Sequence, residues 1–306
     1  MVKLIVALKH ICFSEQFKVT YKKGSLISMT RAITNTEGIA EFNIPASLNR
    51  PNGLSAMVRV RNEELMLKES IESIQGYYDE IVICIQPSDD NTLYEAQQLS
   101  LRFDNVVYFE YPFLSLPNGS GYRYQDDNSV FSRTYFYNWC LSKCKYQTVT
   151  KWDADMIALP SYARLIEMLR NGAQFIIEYG IDLAFDGQYM TQKKYTGSEI
   201  RHFNALKSTF INGDMCEVLG VDSPIGSIFG KILRKQQTRF LNEPTYLHFK
   251  WCKPLYLSTQ AWPKDWKDNE HFQHLVKRTN NLIERTARFD SDIENTISQI
   301  CQRMAR

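Results

Sequence analysis

Residues 81–85 read Ile-Val-Ile-Cys-Ile, a run without a polar side chain. A strand that is apolar at every position must be covered on both faces, as an inner strand of a parallel sheet is. The flanking sequence supports this. Residues 56–60 form a second strand candidate, and beyond them Leu67, Ile71 and Ile74 recur at i, i+4 and i+7, the spacing of one helix face. Asn62 is placed to cap that helix, Glu63 and Glu64 fall in its first turn, and Gly76 is its stop. Asp90-Asn91-Thr92 opens another helix, with Leu93, Ala96 and Leu99 inward. Residues 106–109 are a further strand, and Phe131, Tyr135 and Trp139 mark a longer helix. Residues 148–152 are a strand that ends at Asp153-Ala154-Asp155. This β-α-β-α-β succession predicts an α/β fold, a Rossmann-like doubly wound and mostly parallel sheet.

The rest of the chain is placed around that unit. Residues 1–53 read as a β-rich N-terminal extension closed by Pro51-Asn52-Gly53. Residues 54–160 would carry the nucleotide-type half, 161–260 an acceptor half, and 261–306 a helical tail rich in Lys, Arg and Trp. In the tail Phe272, Leu275 and Val276 give one apolar helix face, which would pack across the molecule or meet an anionic membrane surface. With 306 residues the chain can bury a large core without disulfides. The seven cysteines are irregularly spaced with no C-x-x-C, as expected of reduced, buried thiols in a cytoplasmic protein. The start has one Lys, a short apolar run and no small-residue cleavage site, and no stretch reaches the length of a membrane span. A net charge of +2 leaves no electrostatic footprint for nucleic acid.

Ligands of such sheets bind outside the carboxyl ends of the strands. Three polar clusters fall there: Arg61-Asn62-Glu63, Ser88-Asp89-Asp90 and Asp153-Ala154-Asp155. Asp153 and Asp155 stand two apart in a segment read as extended, so their side chains can share one side. Paired carboxylates are hard ligands for Mg²⁺ or Mn²⁺, which keep positions open for phosphate oxygens. The plainer alternative is an Asp-x-Asp that faces water.

The stretch V-R-V-R-N-E-E-L-M-L-K-E-S-I-E-S-I, followed by D-E-I-V-I-C-I-Q-P-S-D-D-N-T and later K-W-D-A-D-M, resembles glycosyltransferase family 2 and its relatives with the GT-A fold. It spans about residues 55–160. The resemblance implies a metal-dependent transferase that moves a sugar from a nucleotide-sugar donor, UDP favoured, to a saccharide or lipid-linked glycan acceptor. The setting would be surface polysaccharide or glycoconjugate biosynthesis, in the cytoplasm or peripheral at the inner face of the cell membrane. Val60, Arg61 and Glu63 would line the base and ribose pocket, and Asp90 would lie near the base or ribose. Asp153 and Asp155 would bind metal and diphosphate. Many members carry an acid at the end of the second strand, where this chain has Ile85-Gln86; Gln86 would bond a base or a ribose hydroxyl instead. The segment Tyr246-Leu247-His248-Phe249-Lys250 resembles the late His segment of GT-A enzymes, in which a His reaches the metal. His248 is otherwise a strand histidine satisfied by a carbonyl; Lys250 would meet the diphosphate or stand in solvent.

An inverting transfer needs a base for the acceptor hydroxyl. Glu217 and then Asp214 are the favoured candidates, ahead of Glu178, Asp182, Glu199 and Asp222. The segments 197–201 and 212–217 read as loops opening onto helices, where an acid also serves as a cap. Arg201 would pair with a phosphate or balance a nearby acid. Gly226 to Lys231 is one residue short of a phosphate loop and has Ile232 where Ser or Thr is needed. Two competing readings are a sugar nucleotidyltransferase, whose Gly-rich loop near the N-terminus is not seen, and a non-catalytic nucleotide-sugar-binding module.

Overall fold

The computed structural model describes residues 32–46, 49–116, 122–173, 175–185, 190–195, 199–213, 216–221, 238–252 and 291–304. Four parallel strands form the centre: β1 (Leu54–Val60), β2 (Glu80–Ile85), β3 (Val106–Glu110) and β4 (Thr148–Asp153). Their order is β3-β2-β1-β4, closed by an antiparallel edge strand β9 (His202–Asn204). From Ile81 to Ile85 every residue of β2 is buried, as its apolar run requires.

Helices cover both faces. α1 (Leu67–Ile74), α2 (Thr92–Arg102) and α4 (Tyr162–Arg170) pack on one side, with Leu67, Ile71, Ile74, Ala96, Leu99, Leu165 and Leu169 against the alternate residues of β1 and β2. Each fully buried Leu or Ile contributes about 2 kcal/mol from burial. α3 (Arg133–Lys143) covers the other face and is buried from Thr134 to Leu141. Ser132 accepts from the Tyr135 N–H at its start. At its end the buried guanidinium of Arg50 donates to the carbonyls of Leu141 and Cys144, a cationic cap on the negative end of the helix.

The second half departs from the expected loops and helices. β5 (Met156–Ala158), β12 (Thr238–Trp251), β6 (Phe175–Phe185) and β7 (Met190–Tyr195) make a second sheet in that order, with β8 (Glu199–Ile200) added to β6. Where helices were expected after 197–201 and 212–217, the described residues form strands. Glu199 lies in β8, and β10 (Ser208–Asn212) pairs with β11 (Glu217–Val221) as an antiparallel hairpin. The β-branched residues Thr209, Ile211, Val218 and Val221 favour that outcome over a helix. The N-terminal extension is described only from residue 32, where Ile33 and Ile44 form one isolated bridge and a 3-10 turn covers Ala40–Phe42.

A chain of buried polar groups joins the two sheets. The Tyr78 hydroxyl donates to Thr150 Oγ1 at 2.9 Å and accepts from the Tyr162 hydroxyl at 2.5 Å. Thr150 Oγ1 meets His202 Nδ1 at 2.9 Å, His202 Nε2 meets Glu178 Oε1 at 2.9 Å, and Thr245 donates to Glu178 Oε2 at 2.6 Å. Each acceptor in this chain has a donor, so the burial of His202 and Glu178 is matched. The C-terminal helix α5 (Ser291–Met304) docks beside the second sheet: Ile300 is buried among Met66, Leu183 and Leu247, and Arg303 pairs with Glu69 at 2.7 Å. No helix among the described residues is long and apolar enough to cross a membrane.

Gly180 faces Tyr246 across β6 and β12, and a methyl on Gly180 would fall inside the tyrosine ring. Gly180→Ala is expected to lower stability by about 1–3 kcal/mol through overpacking. The loss should shrink when Tyr246→Ala is added, as a double-mutant cycle by urea unfolding would show.

Candidate active site

The order β3-β2-β1-β4 has its switch point between β1 and β4, where the chain crosses from one half of the sheet to the other. The carboxyl ends of these strands carry the three polar clusters. The loops after β1 and β2 interlock. Asn62 adopts φ 55°, a left-handed conformation that asparagine tolerates. Its N–H donates to Ser88 Oγ at 3.1 Å, and its Oδ1 accepts from the Asp89 N–H at 2.9 Å. Asn62 therefore ties two loops rather than capping α1, which begins at Leu67 without a side-chain cap. Asp90 takes the Thr92 N–H and hydroxyl on Oδ1 and the Glu64 N–H on Oδ2. Glu63 is buried and its N–H donates to Thr92 Oγ1 at 2.7 Å; Arg61 is exposed and Val60 is buried. Gln86 donates to the Phe113 carbonyl and accepts from Ser115, joining the end of β2 to the segment after β3.

At the switch point the Asp153-Ala154-Asp155 segment is not extended throughout. β4 ends at Asp153, a turn covers 154–155, and β5 begins at Met156 in the second sheet. The two aspartates consequently take separate partners. Asp153 Oδ1 is engaged by Arg59, its register partner on β1, and Oδ2 by Arg201 Nη1 at 2.8 Å. Burial pushes this carboxyl up, but Arg201 and then Arg59 outweigh it and hold the group well below the usual carboxylate range. The aspartate side chain is 28% exposed while those of Arg59 and Arg201 are 6% and 5% exposed, so the arginines back it from within.

Asp155 is buried and faces His248, with Oδ1 3.3 Å from Nε2. The other ring nitrogen of His248, Nδ1, lies 3.2 Å from Asp182 Oδ1. Burial pushes the His248 imidazole down, and Asp155 and Asp182 more than reverse this, to about 9. Lys250 lies two residues on in β12, half-buried. Glu217 stands at the start of β11, its Oε2 3.5 Å from Arg133 Nε. Arg133 and Arg59 both lie over the Tyr137 ring, at 5.7 and 4.3 Å from its centroid. Glu178 is sealed in the seam between the sheets. Asp214, Asp222, the 226–231 segment and the tail before Ser291 lie outside the described residues.

Two cis ligands of an octahedral cation bound at about 2.1 Å stand about 3 Å apart. Asp155 Oδ1 and His248 Nε2 fit that spacing. Asp153 in this arrangement does not join them, because both its oxygens face guanidinium groups. No group of three or more His, Cys, Asp or Glu among the described residues is arranged to hold an ion. Sequence reasoning singled out Asp155 and His248 from the pattern and the resemblance. It missed Arg59, whose only signal was a charged residue inside an apolar strand.

Two outcomes follow from this geometry. Asp90→Ala strands three donors and is expected to lower stability by about 1–3 kcal/mol, measured by urea unfolding. The raised value of His248 stabilises the cation-free fold fully below its ordinary 6.5, and that contribution is lost as the pH climbs towards about 9. Unfolding free energies measured across this interval should fall more steeply for the wild type than for His248→Gln.

No family model matches the chain, and no curated protein matches it. Solved structures similar to it include glucosyl-3-phosphoglycerate synthase from Mycobacterium tuberculosis in complex with UDP, at 17% identity and TM-score 0.32 over 42% of this chain and 44% of that one. The same enzyme in complex with Mn²⁺, UDP-glucose and phosphoglyceric acid is 18% identical, with TM-score 0.30 over 41% of this chain and 42% of that one. TarS from S. aureus is 10% identical, with TM-score 0.37 over 64% of this chain and 36% of that one. The chain spans less than half the length of each. These likenesses are partial, with identities of 18% or less and TM-scores below 0.4.

Proposed function

We propose that the chain is a glycosyltransferase that moves a sugar from a nucleotide-sugar donor, UDP favoured, to a saccharide or lipid-linked glycan acceptor, with Mn²⁺ or Mg²⁺ as cofactor. The observation that carries this reading is the pairing of Asp155 with His248 just beyond the carboxyl end of β4, beside the switch point. That oxygen and nitrogen donor set suits a divalent cation, with diphosphate oxygens and water completing its shell. A cation held there supplies charge neutralisation to the departing diphosphate.

The other residues take roles around it. Arg59 and Arg201 hold the carboxylate of Asp153 in place at this rim. Lys250 adds a further cation from β12. The interlocked rim of Val60, Arg61, Glu63, Gln86 and Asp90 would receive the base and ribose, Arg61 being its exposed member. Glu217, or Asp214, would take the acceptor proton in an inverting transfer. A lipid-linked acceptor would bring the enzyme to the inner face of a membrane, with the tail that carries Lys264, Lys267, Lys277 and Arg278 as the contact. Surface polysaccharide or glycoconjugate assembly is the setting that fits these substrates.

The engagement of both Asp153 oxygens favours a second reading, a nucleotide-sugar-binding module without turnover. Thermal melts with UDP, GDP or CMP, each with and without Mn²⁺, separate the two. The transferase is expected to be stabilised by UDP only when Mn²⁺ is present, by about 5 °C at saturating ligand. Donor hydrolysis, followed as released UDP, should vanish in Asp155→Ala. Stabilisation indifferent to the cation supports the module; none with any nucleotide removes both readings.

A further inference from the structure

Buried polar atoms in a folded protein nearly always have a hydrogen-bond partner, so a group of them without one asks what it is built for. Among the described residues, four such atoms come from side chains linked around the start of α3: Arg59 Nε, Arg133 Nε, Glu217 Oε2 and Gln125 Oε1. Two are donors and two are acceptors.

The fold gathers them from separate elements. Arg133 opens α3, directly after its Ser132 cap. The hairpin of β10 and β11 is latched onto the same helix. Asn138 donates to the Phe210 carbonyl at 2.9 Å and accepts from the Phe210 N–H at 2.8 Å, and Thr134 donates to Asn212 Oδ1 at 2.5 Å. Asn212 in turn donates to the Gln125 carbonyl at 2.8 Å. Its register partner on β11 is Glu217, and paired residues of neighbouring strands project to one face. Glu217 thereby meets Arg133, with 3.5 Å between Oε2 and Nε, longer than a hydrogen bond. Arg133 shares the Tyr137 ring with Arg59, and Arg59 continues to Asp153, so the group is continuous with the switch point. The Glu217 side chain is 9% exposed and that of Arg133 34%, which leaves an approach from solvent on the arginine side.

The mixture of charges selects the ligand. An anion brought to Arg133 meets the Glu217 carboxylate, and a cation brought to Glu217 meets guanidinium groups. A hydroxyl meets neither obstacle, because one oxygen both donates and accepts. Set about 2.8 Å from Arg133 Nε and from Glu217 Oε2, it completes a triangle on the separation already present. We infer that Arg133, Glu217 and Gln125 form a binding site for a neutral polyhydroxylated ligand, a saccharide, one of whose hydroxyls accepts from Arg133 Nε–H and donates to Glu217 Oε2. Gln125 Oε1 accepts from a second hydroxyl. This deepens the transferase reading by naming its acceptor class, and rests on that reading for the fate of the hydroxyl proton.

The test is a saturation-transfer NMR titration of the full chain with glucose, galactose, mannose, N-acetylglucosamine, lactose and maltose, for the wild type, Arg133→Gln, Glu217→Gln and Gln125→Leu. The wild type is expected to bind at least one of these sugars. Its dissociation constant should rise about tenfold or more in Arg133→Gln and Glu217→Gln, where the lost bond involves a charged group. A rise of about threefold is expected in Gln125→Leu, which decides the matter should the ion-pair variants fail to fold. Inorganic phosphate at equal concentration should leave the sugar bound. If the wild type binds none of the sugars, water serves these atoms and the site is overturned. An affinity unchanged in the folded variants, or displacement by phosphate, overturns it equally. UDP titrated with Mn²⁺ into the same samples separates the two readings: sugar binding without UDP binding removes the transferase and keeps the site.

Discussion

The chain leaves one sheet and enters the next between Asp153 and Met156, and the placement of the candidate site depends on that passage. A strand that simply continued would present two aspartates to one side. Here the turn at 154–155 separates them, with Ala154 small enough to be buried at the joint. Asp153 stays with the parallel sheet and answers to arginines. Asp155 belongs to the edge of the second sheet and answers to a histidine of β12. The backbone also pins this joint, since the Phe249 N–H donates to the Asp155 carbonyl at 2.8 Å.

Both aspartates are paid for in solvation by close partners rather than by water. Removing one member of such a buried set leaves a charge with no counterpart, which is why the sets must be read together. Arg59 illustrates the balance: it projects from an inner strand, lies over the Tyr137 ring and meets Asp153, so its charge is answered on two sides. Beneath it the Trp152 indole donates to Ser70 at 2.9 Å and packs edge-on against Tyr162 and Tyr246.

How much of this the sequence carried differs between the halves. The parallel unit was legible because each of its elements has a one-dimensional signature: the apolar run of β2, the Leu67, Ile71, Ile74 face of α1, the start of α2 at Thr92. Asn62 misled for a physical reason. Asparagine serves equally as a helix cap and as a left-handed turn residue, and only the approach of Ser88 and Asp89 decides between them. The second half was read poorly because its strands pair over long separations, as Glu178 with Glu199 and His248 with both Met156 and Asp182. Acids at turns there looked like helix caps. Asp155 and His248 were singled out through the pattern and the resemblance; that Asp153 would be taken by Arg59 and Arg201 depends on register, which no local pattern encodes.

The left-handed turn at Asn62 has a consequence beyond local geometry. Its reciprocal bonds to the loop after β2, with those of Asp90 and Glu64 beside it, mean that two chain segments are frozen against each other before any ligand arrives. A guest at this edge meets a mould already cast. Little conformational disorder would be given up there on association, which lowers the cost of ordering these loops around a ligand.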